Sequence, residues 1–186
     1  MSDNIETARL ILRRINQNDI EDFYQIMGNK ATMKYLGNVL TQEEIGYYFD
    51  GLKNKKYDSI DGEYAIVLKE ENKVIGQFTI TTKNRDKRSE ISYMLNDKYW
   101  NKGYISECTK EVKQILFNDN NINKIVADCD VDNKASIRIL EKMGMKQEGI
   151  LRQERYSRSL GRYYDVAVFG ILYDEYLKDD ESYIEE

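Results

Sequence analysis

With 186 residues, 41% hydrophobic and 33% charged, the chain has the length and composition of one globular domain spanning residues 1–186, and no run reaches the roughly 18 apolar residues of a membrane helix. Histidine is absent, which excludes imidazole bases, Ser-His-Asp and Cys-His catalysis and most zinc sites. A formal net charge of −5 argues against a nucleic-acid partner and suits a cationic substrate such as an amine.

The N-terminal residues 1–7 are polar and acidic, with no basic or apolar leader, so a cytoplasmic protein is expected. A first strand is predicted at 9–15, where Leu10, Leu12 and Arg14 alternate with Arg9, Ile11 and Arg13. A helix follows, with Asn18 as its N-cap and Ile20, Phe23, Tyr24 and Met27 on one face. Thr41 followed by Glu44 forms a capping box, and Ile45, Tyr48, Phe49 and Leu52 make one apolar face behind it. Strands at 64–68, 74–82 and 90–95, joined by short polar turns, read as an antiparallel meander.

Beyond Leu95 a polar loop leads to a helix ending near Asn118, with Ile105, Cys108, Val112, Ile115 and Leu116 inward. A buried strand is expected at 124–131, then a short helix from Asn133 to near Met143, stopped by Gly144. Two long strands at 146–156 and 163–172 close the chain as a hairpin around Gly161. The core spans about 7–177, and the acidic tail at 178–186 (Asp179, Asp180, Glu181, Glu185, Glu186) reads as a solvated end. Cys108 and Cys129 match no metal or redox spacing and are expected as reduced, buried thiols. The order of elements is that of an α+β domain, mixed α/β, with one parallel step in its middle.

Two stretches carry chemistry. In the first, a strand ends at Leu95 and a helix opens at Gly103, in the run Asn101, Lys102, Gly103, Tyr104, Ile105, Ser106. The first turn of a helix presents free N–H groups and positive potential, which suit a phosphate. Gly103 allows close backbone approach, Lys102 adds charge and Ser106 a hydroxyl donor; a plain turn is the alternative. In the second, Asn133 and Ser136 lie together at a helix start, where they either cap it or hold an amide-rich ligand.

Together these stretches resemble the GNAT N-acetyltransferases, in particular the RimJ/RimL-like branch of ribosomal-protein N-terminal acetyltransferases. Residues 7–13 (Thr7-Ala8-Arg9-Leu10-Ile11-Leu12-Arg13) look like that branch's opening strand. Glu90-Ile91-Ser92-Tyr93 with Tyr99-Trp100-Asn101-Lys102-Gly103-Tyr104 is similar to its acetyl-CoA loop. Residues 133–144 resemble its second cofactor motif, and Gly161-Arg162-Tyr163-Tyr164-Asp165 its final hairpin. The resemblance implies a mostly antiparallel sheet of about seven strands, flanked by helices and splayed between strands 90–95 and 124–131. It implies acetyl-CoA as cosubstrate with no metal. Pantetheine would lie in the splay, held by Asn133, and pyrophosphate on the amides of 101–106. The Leu95 amide would face the thioester oxygen. The chain departs from the family in Asn101, where glycine is usual, and Ile105, where alanine or glycine is. Leu140 replaces the tyrosine acid of many members, and the serine of the branch falls at Ser136.

The implied reaction is direct attack of an amine on the thioester, with Ser136 assisting the departing sulfur. The base is a carboxylate or water. The branch's acidic residue aligns with Arg155, its neighbour Glu154 is the candidate, and Glu90 is another. The acceptor is a protein N-terminus or a small amine such as a polyamine, aminoglycoside or amino sugar. No membrane partner is expected, and a homodimer through the final hairpin is compatible with the pattern. The alternatives are a non-catalytic acyl-CoA-binding or regulatory module on this fold, or a domain for another nucleotide. The latter lacks a Walker loop and a Gly-x-Gly-x-x-Gly run.

Overall fold

The computed structural model describes residues 4–57, 59–119, 121–157 and 161–181. Eight strands form one sheet in the order β1-β2-β3-β4-β5-β6-β8-β7. They are β1 (Ile5–Glu6), β2 (Leu10–Arg14), β3 (Gly62–Leu68), β4 (Lys73–Lys83), β5 (Arg88–Leu95), β6 (Lys124–Asp130), β7 (Lys146–Ser157) and β8 (Arg162–Leu172). The helices are α1 (Ile20–Met27), α2 (Gln42–Leu52), α3 (Tyr104–Gln114), α4 (Lys134–Lys142) and α5 (Tyr173–Glu181).

Seven of the strands follow the sequence pattern. The eighth, β1, is a two-residue bridge onto β2, too short for any periodicity to mark. The capping box at Thr41 forms as expected: Thr41 Oγ1 accepts from Glu44 N at 3.2 Å, and Thr41 N donates to Glu44 Oε2 at 2.8 Å. Asn18 is not the cap of the first helix: the side-chain cap is Asn16, one turn earlier, and the N-cap position of α1 itself is Asp19, with no side-chain cap bond. Asn16 and Asp19 form a capping box around a 3-10 turn that leads into α1. Asp19 is preferred there because it is buried and also binds Arg13, at 2.6 and 2.8 Å. The chain end is not a solvated coil throughout: residues 173–181 form α5, with Tyr176 buried against Phe117. Glu185 and Glu186 lie outside the described residues, as do residues 158–160 of the final hairpin loop.

The sheet separates two apolar layers. On one face α1 and α2 bury Phe23, Ile26, Ile45 and Phe49 against Ala65, Val67 and Val74. On the other, α3, α4 and α5 bury Cys108, Val112, Leu140 and Tyr176 against Phe78, Ile125, Ala127 and Phe169. Each fully buried phenylalanine stabilises the fold by about 1.5–3 kcal/mol. Both cysteines are buried and unpaired, as expected of reduced thiols.

The feature that positions the site is a break in pairing. β5 is antiparallel to β4 along its whole length, from Lys83↔Arg88 to Gly76↔Leu95. It is parallel to β6 only at Arg88↔Lys124, Ser89↔Ile125 and Glu90↔Val126. β6 meanwhile stays with β8 as far as Asp130↔Val166. Past Glu90 the strands β5 and β6 part, and a cleft opens between the two halves of the sheet.

Candidate active site

Leu95 ends β5 on one lip of this cleft. Asn96 N donates to Ile75 O at 2.9 Å, and Leu95 lies opposite Gly76. In an antiparallel ladder successive residues direct their polar groups to opposite sides, so the Leu95 N–H and C=O point away from β4, toward the cleft. The carbonyl accepts from Trp100 Nε1 at 2.7 Å. The amide is thereby presented to the space that β6 has vacated. Gly76 makes this close approach possible: a Cβ there would meet Met94 O at 2.4 Å and Leu95 Cα at 3.2 Å.

The loop after Leu95 is held in an unusual backbone shape. Asn96 is buried, and its side chain caps the short 3-10 turn Asp97–Tyr99. Asn101 then takes φ 60° and Gly103 φ 79°. Asparagine is among the few residues that enter this left-handed region at low cost, so Asn101 can take the turn for which the resemblance expects glycine. Gly103 starts α3 without any side-chain cap, so the amides of Tyr104, Ile105 and Ser106 form the open first turn of a helix. Ile105 does not obstruct them, because its side chain is buried in the core beneath α3. Lys102 is exposed, with its ammonium 5.3 Å from the Tyr99 ring centroid. A hydrogen bond to Glu71 and burial push the Tyr99 phenol up to about 12, so this packing carries no titration near neutrality.

The opposite lip is the start of α4. Asn133 Oδ1 accepts from Ser136 N at 3.1 Å, so the capping reading of Asn133 holds. The cap uses only the amide oxygen and leaves two N–H donors for other work. Ser136 Oγ lies 3.0 Å from Tyr93 OH, across the cleft on β5. Tyr93 is stacked on Phe78, and burial pushes its phenol up. It therefore stays neutral and can donate to Ser136. Burial also raises the Cys129 thiol, to about 11, with Ser136 pulling the other way. Tyr93 belongs to a stretch that the sequence singled out, but alternation on a strand does not reveal what a tyrosine hydroxyl touches across a cleft.

The structure thus brings together Leu95, Ser136, Asn133 and the run 101–106. It does not bring Glu154 to them. Glu154 is exposed on β7, where the register shifts between Leu151 and Arg155. β7 is the sheet edge, three strands from β5, or about 14 Å at the usual strand spacing. Arg155 is committed to Asp128 through bonds of 3.0 and 2.6 Å. Glu90 sits where β5 still pairs with β6, with Arg88 3.7 Å away. Among the described residues no group of three potential ligands could hold a metal, and no helix is long and apolar enough to cross a membrane. A polar cavity of about 460 Å³ opens beside the Leu95 end of β5, between Tyr24 and Gln25 of α1, Asn29 and Lys30 just beyond it, and Asn96 and Lys98.

Comparison with known proteins agrees with this geometry. Residues 9–146 match the acetyltransferase (GNAT) domain family. The chain is 33% identical over 173 residues to YoaA of Bacillus subtilis, named as an uncharacterized N-acetyltransferase, covering 90% of this chain and 96% of that one. It is 26% identical over 178 residues to a spermidine N(1)-acetyltransferase of Vibrio cholerae, covering 94% and 99%. Among solved structures, a GNAT-family acetyltransferase from Bacillus anthracis superposes with a TM-score of 0.80 at 26% identity, covering 92% and 99%. RimL, a ribosomal L7/L12 alpha-N-protein acetyltransferase solved with coenzyme A, does so with 0.78 at 24%, covering the same shares. The chain belongs to the GNAT acetyltransferase family.

Proposed function

We propose that the protein transfers an acetyl group from acetyl-CoA to the α-amino group of a peptide or protein, in the manner of the RimJ/RimL-like branch. The observation that carries this reading is the cleft, which sets the Leu95 N–H on one lip and the Ser136 hydroxyl on the other. The residues fit the cosubstrate. The amides of Gly103, Tyr104, Ile105 and Ser106 suit a pyrophosphate, with Asn101 shaping the turn and Lys102 adding charge. The free donors of Asn133 suit an amide-bearing arm lying between β5 and β6.

In the reaction the amine nitrogen bonds to the acetyl carbon and the carbon–sulfur bond breaks. The Leu95 N–H receives the oxygen that gains charge. Sulfur leaves as thiolate, and Ser136 donates a hydrogen bond to it. A thiol pKa near ~8.5 makes this a modest task. The attacking nitrogen sheds its proton to water. An α-amino group near ~7.8 is about a tenth neutral at pH 7, whereas an alkyl amine near ~10.4 is neutral in only about one part in a few thousand. A site with no histidine, and with Glu154 remote, suits the former.

The cavity beside Leu95 supports the same choice. Its lining includes Lys30 and Lys98 and no carboxylate, which disfavours a polycation such as spermidine and suits a peptide with acidic residues behind its N-terminus. The test is thiol release from acetyl-CoA with a panel of N-terminal peptides, spermidine, aminoglycosides and amino sugars. Turnover confined to peptides is expected. Preference for spermidine would overturn the acceptor assignment. Binding of acetyl-CoA with no turnover on any acceptor would point to a non-catalytic acyl-CoA-binding module.

A further inference from the structure

The opening stretch of the chain, residues 7–13, has no part in the site described so far. Yet Arg9 reaches both the loop at 101–106 and Glu107, the residue that follows it. Its backbone N donates to Glu107 Oε1 at 2.8 Å and its Nε to Glu107 Oε2 at 2.7 Å. One terminal nitrogen donates to Lys102 O at 3.0 Å. The guanidinium lies 4.5 Å from the centroid of the Tyr104 ring. The Thr7 hydroxyl also donates to Glu107 Oε1. A segment about a hundred residues away in sequence is thus fastened to both sides of Gly103.

We infer that Arg9, with Thr7, is a positioning residue for acetyl-CoA: it orients the phosphate-facing loop and cancels the charge of Glu107 inside it. The inference rests on the acetyl-CoA reading of residues 101–106. Two physical arguments carry it. Lys102 O belongs to the peptide unit between the two left-handed residues, Asn101 and Gly103. That unit is trans, so its C=O and N–H point in opposite directions. Holding the carbonyl on Arg9 therefore turns the Gly103 N–H away from Arg9. The second argument is electrostatic. Glu107 stands in the first turn of α3, where a carboxylate competes with a phosphate for the same positive potential. Burial alone would raise its pKa, but the bonds from Thr7 and Arg9 hold it below the ordinary carboxylate range. Glu107 is therefore an anion, and the anion is tolerable beside a pyrophosphate because Arg9 is paired with it.

Calorimetric titration with coenzyme A tests this without relying on turnover. Arg9→Met is expected to weaken binding at least tenfold, with a steeper loss at low salt, because Glu107 is left as an uncompensated charge. Arg9→Lys is expected to restore only part, since an ammonium lacks the planar fork that reaches Glu107 and Lys102 O together. In the double variant Arg9→Met/Glu107→Gln the repulsion is gone, and binding should recover severalfold over Arg9→Met. Melting temperature, measured on each variant, controls for folding. Binding of Arg9→Met within twofold of the parent overturns the inference, as does a double variant no better than Arg9→Met. A parent protein with no affinity for coenzyme A overturns the acetyl-CoA reading itself, and is distinguishable because it appears before any variant is made.

Discussion

The Tyr93–Ser136 pair makes the sharpest claim about chemistry. In the proposed arrangement Tyr93 donates to Ser136 Oγ across 3.0 Å, which leaves the serine proton for the departing sulfur. A hydrogen bond to a group gaining charge contributes about 1.5–3 kcal/mol. Thiolate is a fair leaving group, so Ser136→Ala should lie at the lower end, about a tenfold loss of kcat. Tyr93→Phe keeps the ring on Phe78 and removes only a neutral donor, about 1 kcal/mol or roughly fivefold. If the two hydroxyls act in series, the double variant should lose no more than Ser136→Ala alone. Steady-state thiol release with the best peptide acceptor gives kcat, and titration with coenzyme A gives affinity, which should stay within about twofold in all three. Multiplying losses in the double variant, or unchanged turnover in Ser136→Ala, would refute the reasoning.

Gly103→Ala places a β-carbon at φ 79°, at a cost of about 1–2 kcal/mol. The new atom meets only Arg9, at 3.6 Å, so the loss should appear as severalfold weaker coenzyme A binding, whereas Gly149→Ala, with open space around it, should be silent in the same titration. Gly76→Ala drives a β-carbon against the Met94 carbonyl at 2.4 Å; backbone must move, and turnover should fall more than coenzyme A affinity because Leu95 moves with it. Thr41→Ala removes the capping box of α2 and should cost about 1 kcal/mol, a fall in melting temperature of about 2–4 °C for a chain of this size, with kcat unchanged. Glu107 has a folded pKa below its unfolded value of about 4.3. Its contribution to stability is therefore complete above that value and lost as pH falls through the lower folded one. The melting-temperature gap between the parent and Glu107→Gln should be full at pH 6 and close toward pH 3; a gap that widens in acid would refute the assignment.

What the sequence revealed and what it hid divide along a physical line. Local signals were legible: the alternation of β2, the box at Thr41 and Glu44, the glycine at the start of α3, the Asn133 cap. Each is written within a few neighbouring residues. Family resemblance added the splay, which no periodicity encodes, because pairing between β5 and β6 is a contact between distant segments. Arg9 with Glu107 and Tyr93 with Ser136 were hidden for the same reason. Both pairs join side chains far apart in the chain, and either residue alone has an ordinary surface or strand reading. Asn18 was misread as a cap because Asn16 offers the same chemistry two residues earlier, and only the burial of Asp19 beside Arg13 decides between them. Glu154 came from the resemblance, as the neighbour of Arg155, and the register shift between Leu151 and Arg155 on the edge strand cannot be read from spacing.

The register of β5 connects these observations. Its side-chain and polar-group directions repeat every second residue. One residue of slip against β4 would turn the Leu95 N–H into the ladder and move Tyr93 to the opposite face, away from Ser136. Both groups that the proposed chemistry uses therefore depend on one alignment. Gly76 sets it by admitting Leu95 at close range, and the Asn96–Ile75 bond locks it. Downstream, the same alignment fixes where the loop at 101–106 begins, and so where Arg9 must reach to hold Lys102 O. On the proposed function, cofactor grip and thioester chemistry are both set by this single strand, which keeps β4 along its whole length and gives up β6 after three pairs.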